Sequence, residues 1–241
     1  MSSPKAPHAL RLPSENRILA ALPKDEYSRL LPSLSHVRLP QGRVLWDVGD
    51  PVRHAFFPLG GMVSLLSVTG GGSTVEVGMI GSEGIAGVSA LLRLRNAPYR
   101  VVAQLPTPAL KVGIEALAHE FSRGGRLQDL LLRYTHALLT QVSQSASCNR
   151  FHTTEERLCR WLLISRDRAG SDDLDLTQGF LAEMVGCPRT SVTAVASRIR
   201  RMGLVRYGRG RVRILDRAGL ERCSCECYRA ISDEIERYLA A

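Results

Sequence analysis

The first half of the chain alternates between short apolar stretches and turn signals. From about residue 37 to residue 114, stretches rich in β-branched and aliphatic side chains are separated by Gly and Pro, as at Gly70-Gly71-Gly72. Short strands at this spacing are typical of an antiparallel barrel or jelly roll. The segment 81–87 interrupts this rhythm and is predicted to hold a short helix or a ligand loop. The predicted strands are 44–46, 62–68, 74–80, 100–105 and 109–114, after a helical stretch over 15–36 that is broken at Pro23 and Pro32.

A helical period begins near residue 125. Seven positions from Leu127 to Cys148 follow a 4-3 spacing, which predicts a long helix over 125–150 with one continuous stripe. Such a stripe is covered either by the β-domain of the same chain or by the same helix of a second copy. The small and polar residues in its C-terminal half favour a close helix–helix crossing, and therefore a parallel homodimer. The predicted dimer seam is Leu127, Leu131, Tyr134, Leu138 and Gln141.

Two short helices and a hairpin are predicted near the C-terminus. After a helix over 152–168, Thr177 can cap a helix that ends at Gly186, and a second helix starts near Pro188. Strands at 204–207 and 211–215 then surround Gly208-Arg209-Gly210. This order is that of a winged helix-turn-helix. The predicted fold class is α+β, with a β-domain at 1–124, a dimerisation helix at 125–150 and a winged helix-turn-helix domain at 151–241.

Charge indicates a polyanionic partner for this last region. The chain has a formal charge of +9, and residues 186–213 contain eight Arg and no acidic residue. A solvated surface usually mixes both signs, so a run of one sign favours double-stranded DNA. The N-terminal turn of a recognition helix meets base edges, whereas later Arg residues contact phosphate. The predicted base contacts are Arg189, Thr190, Ser191 and Thr193, and the predicted phosphate contacts are Arg198, Arg201, Arg206 and Arg209.

The helix-turn-helix resembles that of the Crp/Fnr superfamily of bacterial transcription regulators. Residues 176–193 read L-T-Q-x-x-L-A-x-M-V-G-C-x-R-x-S-V-T, and 155–161 read E-E-R-L-C-R-W. The resemblance implies a homodimer on a two-fold-symmetric operator, with RNA polymerase as a partner. Arg189 matches the guanine-reading Arg of the family, but Thr190 stands where members often have Glu. Ala194 stands where the cyclic-AMP receptor has a further base-contacting Arg, so a different operator is expected.

The resemblance also bears on which small-molecule effector the β-domain binds. Family members that bind cyclic nucleotides carry Gly-Glu, a short helix and then Arg-Ser or Arg-Thr, whose Arg pairs with the cyclic phosphate. Gly81, Glu83 and Gly84 are similar to the first half, but no Arg-Ser or Arg-Thr follows, and Arg100 has the wrong neighbours. We therefore predict an effector pocket near Gly81, Glu83, Gly84 and Arg100, with Arg93 and Arg95 as other candidate cations. The effector is unidentified, and cyclic AMP is not expected.

The Cys and His residues bear on possible metal and redox chemistry. No Cys precedes Cys148, so no iron–sulfur cluster of the oxygen-sensing kind is expected, and the His residues are too isolated to indicate haem. If 218–239 is one helix, Cys223 and Cys227 share a face and Cys225 points elsewhere. We therefore predict no metal site and regard these thiols as small packing residues, with a thiol redox sensor as the alternative.

Two other function classes remain open at this level. A cupin-like metalloenzyme would need clustered His and Glu ligands in the barrel, and His54, Glu76 and Glu83 are scattered without an H-x-H pair. An architectural DNA binder would show no preference for one palindrome. Since the DNA-binding regulator is favoured over the cupin, the protein is not expected to be an enzyme. The chain has no apolar run long enough to span a membrane and no signal-peptide core at its start, so a cytoplasmic protein is expected.

Overall fold

The computed structural model describes residues 16–94, 96–208 and 210–240, and only the backbone of Gln178. Two short helices come first, α1 (Arg17–Ala20) and α2 (Lys24–Leu30), followed by a 3₁₀ helix at Leu31–Ser33. The helical prediction for 15–36 is thus confirmed as far as Ser33, with a break at Pro23. At Pro32 the chain continues as the 3₁₀ helix instead of breaking.

Two antiparallel sheets follow. The first has the order β1 (Ser35–Leu39), β7 (Thr107–Gly113), β3 (His54–Pro58). The second has the order β2 (Val44–Trp46), β6 (Arg100–Ala103), β4 (Val63–Val68), β5 (Thr74–Ile80). The five predicted strands are present, while β1 and β3 were not predicted. Both are outer strands of a three-stranded sheet: β1 is largely exposed and β3 ends in Pro58, so neither shows a clear strand pattern.

The segment after β5 forms a loop and a 3₁₀ helix at Val88–Leu92. Side chains between the two sheets, among them Phe57, Ile80 and Ile85, form one core cluster. α3 (Ile114–Ser122) then leads into α4 (Arg126–Phe151). We name α1–α3 with β1–β7 the β-domain.

The stripe of α4 that was predicted as a dimer seam packs inside its own chain. Leu127, Leu131, Tyr134 and Gln141 are buried in the isolated chain, and Leu138 is half-buried. Gln141 accepts a 2.5 Å hydrogen bond from the amide of Met79 on β5. The prediction of these residues as a seam between copies is therefore corrected. A 4-3 spacing shows that a helix has an apolar stripe, and the β-domain is the surface that covers it.

The C-terminal domain begins with α5 (Thr154–Ala169), which has a capping box between Thr153 and Glu156. α6 (Gln178–Val185) and α7 (Arg189–Arg201) form the helix-turn-helix. β9 (Val205–Gly208) and β10 (Arg211–Ile214) form the predicted hairpin, and β8 (Asp173–Leu174) adds a third strand that was not predicted. α8 (Arg217–Cys223) and α9 (Cys227–Ala240) are separate helices, so the single helix considered for 218–239 is wrong.

The C-terminal domain packs on the outer face of the four-stranded sheet. Met62, Leu66 and Met79 of the β-domain share a core cluster with Trp161 and Leu181. The two halves of the chain therefore bury apolar surface against each other rather than meeting only through α4. Among the helices of the described residues, none has both the length and the apolar character needed to cross a bilayer.

Candidate DNA interface and domain junction

The turn between α6 and α7 depends on a glycine. Gly186 ends α6 with φ +65°, in the left-handed region, and an added Cβ would lie 2.9 Å from Val75 Cγ2. Thr177 caps the other end of α6, where its side-chain oxygen accepts a 3.2 Å hydrogen bond from the Phe180 amide. The helix-turn-helix geometry is thus set by local sequence, as predicted.

α7 has one buried face and one polar face. Val192, Ala196 and Ile199 are buried against the C-terminal core. Of the predicted base contacts, Arg189, Thr190 and Thr193 are exposed and Ser191 is half-buried. The Thr193 hydroxyl donates a 2.8 Å hydrogen bond to the Arg189 carbonyl, one helical turn earlier. The structure therefore brings these four residues together on the first turns of α7, with three of the four side chains in contact with solvent.

The Arg-rich run is only partly neutralised. Arg211 pairs with Asp175 at 2.8 Å, Arg213 pairs with Asp173, and Arg198 pairs with Glu155 at 3.1 Å. Of the predicted phosphate contacts, Arg201 and Arg206 are exposed, and Arg209 lies outside the described residues. The acidic partners lie outside 186–213. The positive charge of this surface is therefore lower than the sequence of 186–213 alone indicates. The Arg side chains of this region without a salt bridge among the described residues are Arg189, Arg200, Arg201 and Arg206.

The predicted effector residues fall at two separate places. Glu83 accepts a hydrogen bond from the Gly81 amide and forms a buried ion pair with Arg168 of α5, with 2.8 Å from Nη2 to Oε1. Gly84 faces the Tyr134 ring, which an added Cβ would approach to 2.6 Å. Arg100 instead pairs with Asp47 at 2.6 Å. Gly81 and Glu83 therefore belong to the contact between domains, Gly84 lies against α4, and the structure does not bring Arg100 to them.

A small cavity of about 50 Å³ lies between the sheets. No charged side chain is among the described residues that line it. Arg95, one candidate cation, lies outside the described residues, and Arg93 is exposed. The lining includes Trp46, Val52, Leu65, Val101 and Leu138, the last from α4. Ser89 and Tyr99 add hydroxyl groups to the wall, but the described lining offers no cation to a phosphate.

A second buried carboxylate crosses the junction. Glu76 on β5 accepts a hydrogen bond from the Ser64 hydroxyl and a 2.8 Å hydrogen bond from the indole nitrogen of Trp161 on α5. Burial raises the pKa of Glu76 to about 7, although both hydrogen bonds and the nearby Arg160 and Arg168 oppose this rise. Trp161 thus connects the two domains both by packing and by a hydrogen bond.

A larger cavity of about 320 Å³ lies beside the Glu83–Arg168 pair. Charged groups from both halves of the chain line it, including Asp167, Arg17 and Glu236. Arg17 and Glu236 form a two-point ion pair, with 2.7 Å between Nη2 and Oε2. The Tyr238 hydroxyl of α9 donates to the Glu83 carbonyl. Sequence reasoning missed this junction because its partners lie far apart along the chain.

The cysteines do not share the environment predicted for them. Cys223 packs beside the C-terminal core, whereas Cys225 and Cys227 meet Cys148 and His152 from the end of α4. The expectation that Cys-x-Cys cannot converge assumed a continuous helix, and the break after α8 removes that constraint. The available sequence signal was the Cys148-x₃-His152 spacing, which places two ligand types on one helix face.

Comparison with known proteins supports the same division of the chain. A family model described as the cyclic nucleotide-binding domain matches residues 36–123, and one described as the Crp-like helix-turn-helix domain matches residues 156–223. The global nitrogen regulator of Synechococcus elongatus is 23% identical over 218 residues, covering 87% of this chain and 97% of that protein. That of a Nostoc species is 25% identical over 174 residues, covering 68% and 78%.

A solved structure shares the fold. FixK2 from Bradyrhizobium japonicum superimposes with a TM-score of 0.68 at 14% identity, covering 80% of this chain and 98% of that one. A β-domain of the cyclic nucleotide-binding type joined to a winged helix-turn-helix defines a DNA-binding transcription regulator. The chain belongs to the Crp/Fnr superfamily, so the resemblance carried by residues 176–193 and the α+β fold class are both confirmed. Its relatives are transcription regulators, and neither the cupin-like enzyme nor the architectural binder gains support.

Proposed function

We propose that the protein acts in the cytoplasm as a homodimer that reads a two-fold-symmetric operator with α7 and communicates its occupancy to RNA polymerase. The observation that carries this proposal is the exposed N-terminal turn of α7. Arg189, Thr190 and Thr193 face solvent while Val192 and Ile199 hold the helix in its core. A helix presented in this way enters the major groove, where an Arg can bond two acceptors of one guanine.

The proposed dimer contact is the exposed face of α4, opposite the stripe buried on the β-domain. Leu132 and Leu139 are 50% and 62% exposed, which is unusual for aliphatic side chains on a helix that is otherwise well packed. Ser143 and Ala146 continue the same face and are small enough for close approach of two helices. The face keeps a 4-3 spacing and consists of Leu132, His136, Leu139, Ser143, Ala146 and Arg150. Family members typically bind DNA as dimers, which supports a second copy as the occupant.

Sedimentation of full-length variants tests this surface. Leu132→Asp combined with Leu139→Asp should convert a dimer into a monomer and weaken operator binding, because two charges per helix would be buried without partners. Asn149→Asp is the matched control, since it adds a charge to an exposed position of α4 outside the face. A double variant that stays dimeric would place the contact elsewhere.

The proposed route from effector to DNA runs through the cavity between the sheets. Leu138 of α4 forms part of its wall, and the helix carries the proposed dimer face on its other side. A small apolar effector in this cavity would therefore press directly on α4. Cyclic AMP is not expected to bind, because its phosphate would be desolvated without a cationic partner. Calorimetry with cyclic AMP tests this point, and a micromolar dissociation constant would contradict it.

A further inference from the structure

Four ligand-type side chains meet where α4 ends. Cys148 lies in the last turn of α4 and His152 is the residue at its C-terminal cap. Cys225 lies between α8 and α9, and Cys227 is the first residue of α9. One ligand atom from each of these four residues lies within 4.8 Å of all the others. The segments that supply them are more than 70 residues apart, so the fold has assembled a compact group of three sulfurs and one imidazole.

Two of the spacings among the four atoms match tetrahedral coordination. Zinc–sulfur bonds of about 2.3 Å and zinc–nitrogen bonds of about 2.0–2.1 Å require edges of about 3.8 Å between two sulfurs and about 3.6 Å between sulfur and nitrogen. The observed Sγ–Sγ distance between Cys148 and Cys225 is 3.6 Å. The distance from Cys227 Sγ to His152 Nδ1 is 3.5 Å. Both pairs therefore stand at ligand–ligand distances without rearrangement.

The surroundings orient the ligands. His152 places its other ring nitrogen, Nε2, 3.1 Å from Glu226 Oε1, which is the carboxylate–imidazole arrangement that fixes a metal-binding His. The Gln144 amide donates a 3.0 Å hydrogen bond to Cys227 Sγ, and such a bond stabilises a thiolate. The three Cys residues are buried and His152 is nearly so, hence water is largely kept from the group.

The local charge also fits a metal. Three thiolates, a neutral imidazole and Zn²⁺ sum to one negative charge. Arg160 is buried nearby, and its Nε and Nη1 atoms have no hydrogen-bond partner among the described residues. Its positive charge acts on the Cys148 sulfur. A buried cation beside the group would balance the anionic zinc complex.

We propose that Cys148, His152, Cys225 and Cys227 bind one Zn²⁺ as a closed structural site. Three sulfurs and one imidazole are a common structural zinc set, and four protein ligands leave no open position for catalysis. The ion would fasten the start of α9 to the junction of α4 and α5. Because α9 then runs to Tyr238 and the Glu83 loop, the site would hold the helix that bridges both domains.

Metal analysis of the purified full-length chain tests the proposal. The wild-type protein, prepared with reducing agent, should contain about one zinc per chain. Cys225→Ser and Cys227→Ser should each lose most of this zinc. Cys223→Ser and Cys187→Ser are the matched controls, since both thiols lie outside the group, and they should keep it. Circular dichroism verifies that each variant is folded.

A second measurement does not depend on variants. Wild-type chain stripped of zinc should bind Co²⁺ and show the intense visible and near-ultraviolet bands of tetrahedral cobalt–thiolate coordination. Added Zn²⁺ should displace the Co²⁺ and abolish these bands. A reduced chain that is free of zinc and gives no such bands would overturn the proposal. A Cys148–Cys225 disulfide in peptide maps of protein handled without oxidant would overturn it as well, because it would consume two of the ligands.

Discussion

The recognition surface and the domain junction are built in opposite ways. The DNA-reading elements lie within one contiguous stretch from Thr177 to Ile214, and their described Arg side chains are exposed. The junction joins Glu76 to Trp161 and Glu83 to Arg168, pairs that are 85 residues apart and buried. Changes in the first region should alter which DNA is bound and leave the fold intact. Changes in the second should alter stability and the relation between domains.

The largest expected effect is at the Glu83–Arg168 pair. Arg168→Met leaves Glu83 buried without its cation and should reduce the free energy of unfolding by about 3–5 kcal/mol. The control is Arg166→Met on the same helix, whose exposed pairs with Asp167 and Asp172 should be worth less than about 1 kcal/mol. Denaturant titration measures both. Equal losses of unfolding free energy in the two variants would mean that the buried Glu83–Arg168 pair stabilises the fold no more than an exposed pair does.

Glu76 should make stability depend on pH. Its pKa of about 7 in the folded chain lies above the ordinary 4.5, so the folded state holds the proton more tightly than the unfolded state. Stability is therefore lost as pH rises from about 4.5 to about 7, by about 3 kcal/mol. Glu76→Gln keeps hydrogen-bonding groups for Trp161 and Ser64 and should remove this loss. Glu183→Gln, at an exposed site, should leave the pH profile unchanged.

The smallest expected effect is at the wing. Arg206 is exposed and forms no salt bridge among the described residues, whereas its cross-strand neighbour Arg213 is already paired with Asp173. Arg206→Ala should weaken binding to all DNA sequences alike and reduce the salt slope by about one. Arg213→Ala should change the slope less. The measurement is DNA affinity at several salt concentrations. A larger slope change for Arg213→Ala than for Arg206→Ala would mean that Arg213 makes the phosphate contact instead.

The same contrast explains what the sequence could predict. The α6–α7 turn, the Thr177 cap and the α4 stripe follow from spacings within a few turns of helix, and they were predicted close to their observed bounds. Whether the stripe at Leu127–Gln141 meets another copy or the β-domain depends on a contact that its own spacing does not encode. The two-residue strand β8 is likewise visible only once β10 lies beside it.

The candidate sites divide along the same line. Arg189 was placed correctly on the first turn of α7 because a local motif and a local geometry coincide. Arg100 was grouped with Glu83 on family pattern alone, and the fold gives each a different partner. The group formed by Cys148, His152, Cys225 and Cys227 was not predicted. Its geometry depends on the break between α8 and α9, whereas the sequence indicated a single helix over 218–239.

If α7 reads DNA sequence through Arg189, selection from a random DNA library will reveal it. The wild-type chain should enrich a two-fold-symmetric site, with half-sites about one helical turn apart or a multiple of it. Arg189→Ala should lose about 1–3 kcal/mol of preference at one symmetry-related pair of positions and keep the remaining pattern. Enrichment of no symmetric site, or an Arg189→Ala variant that binds every sequence equally less tightly, would show that α7 does not read sequence through Arg189.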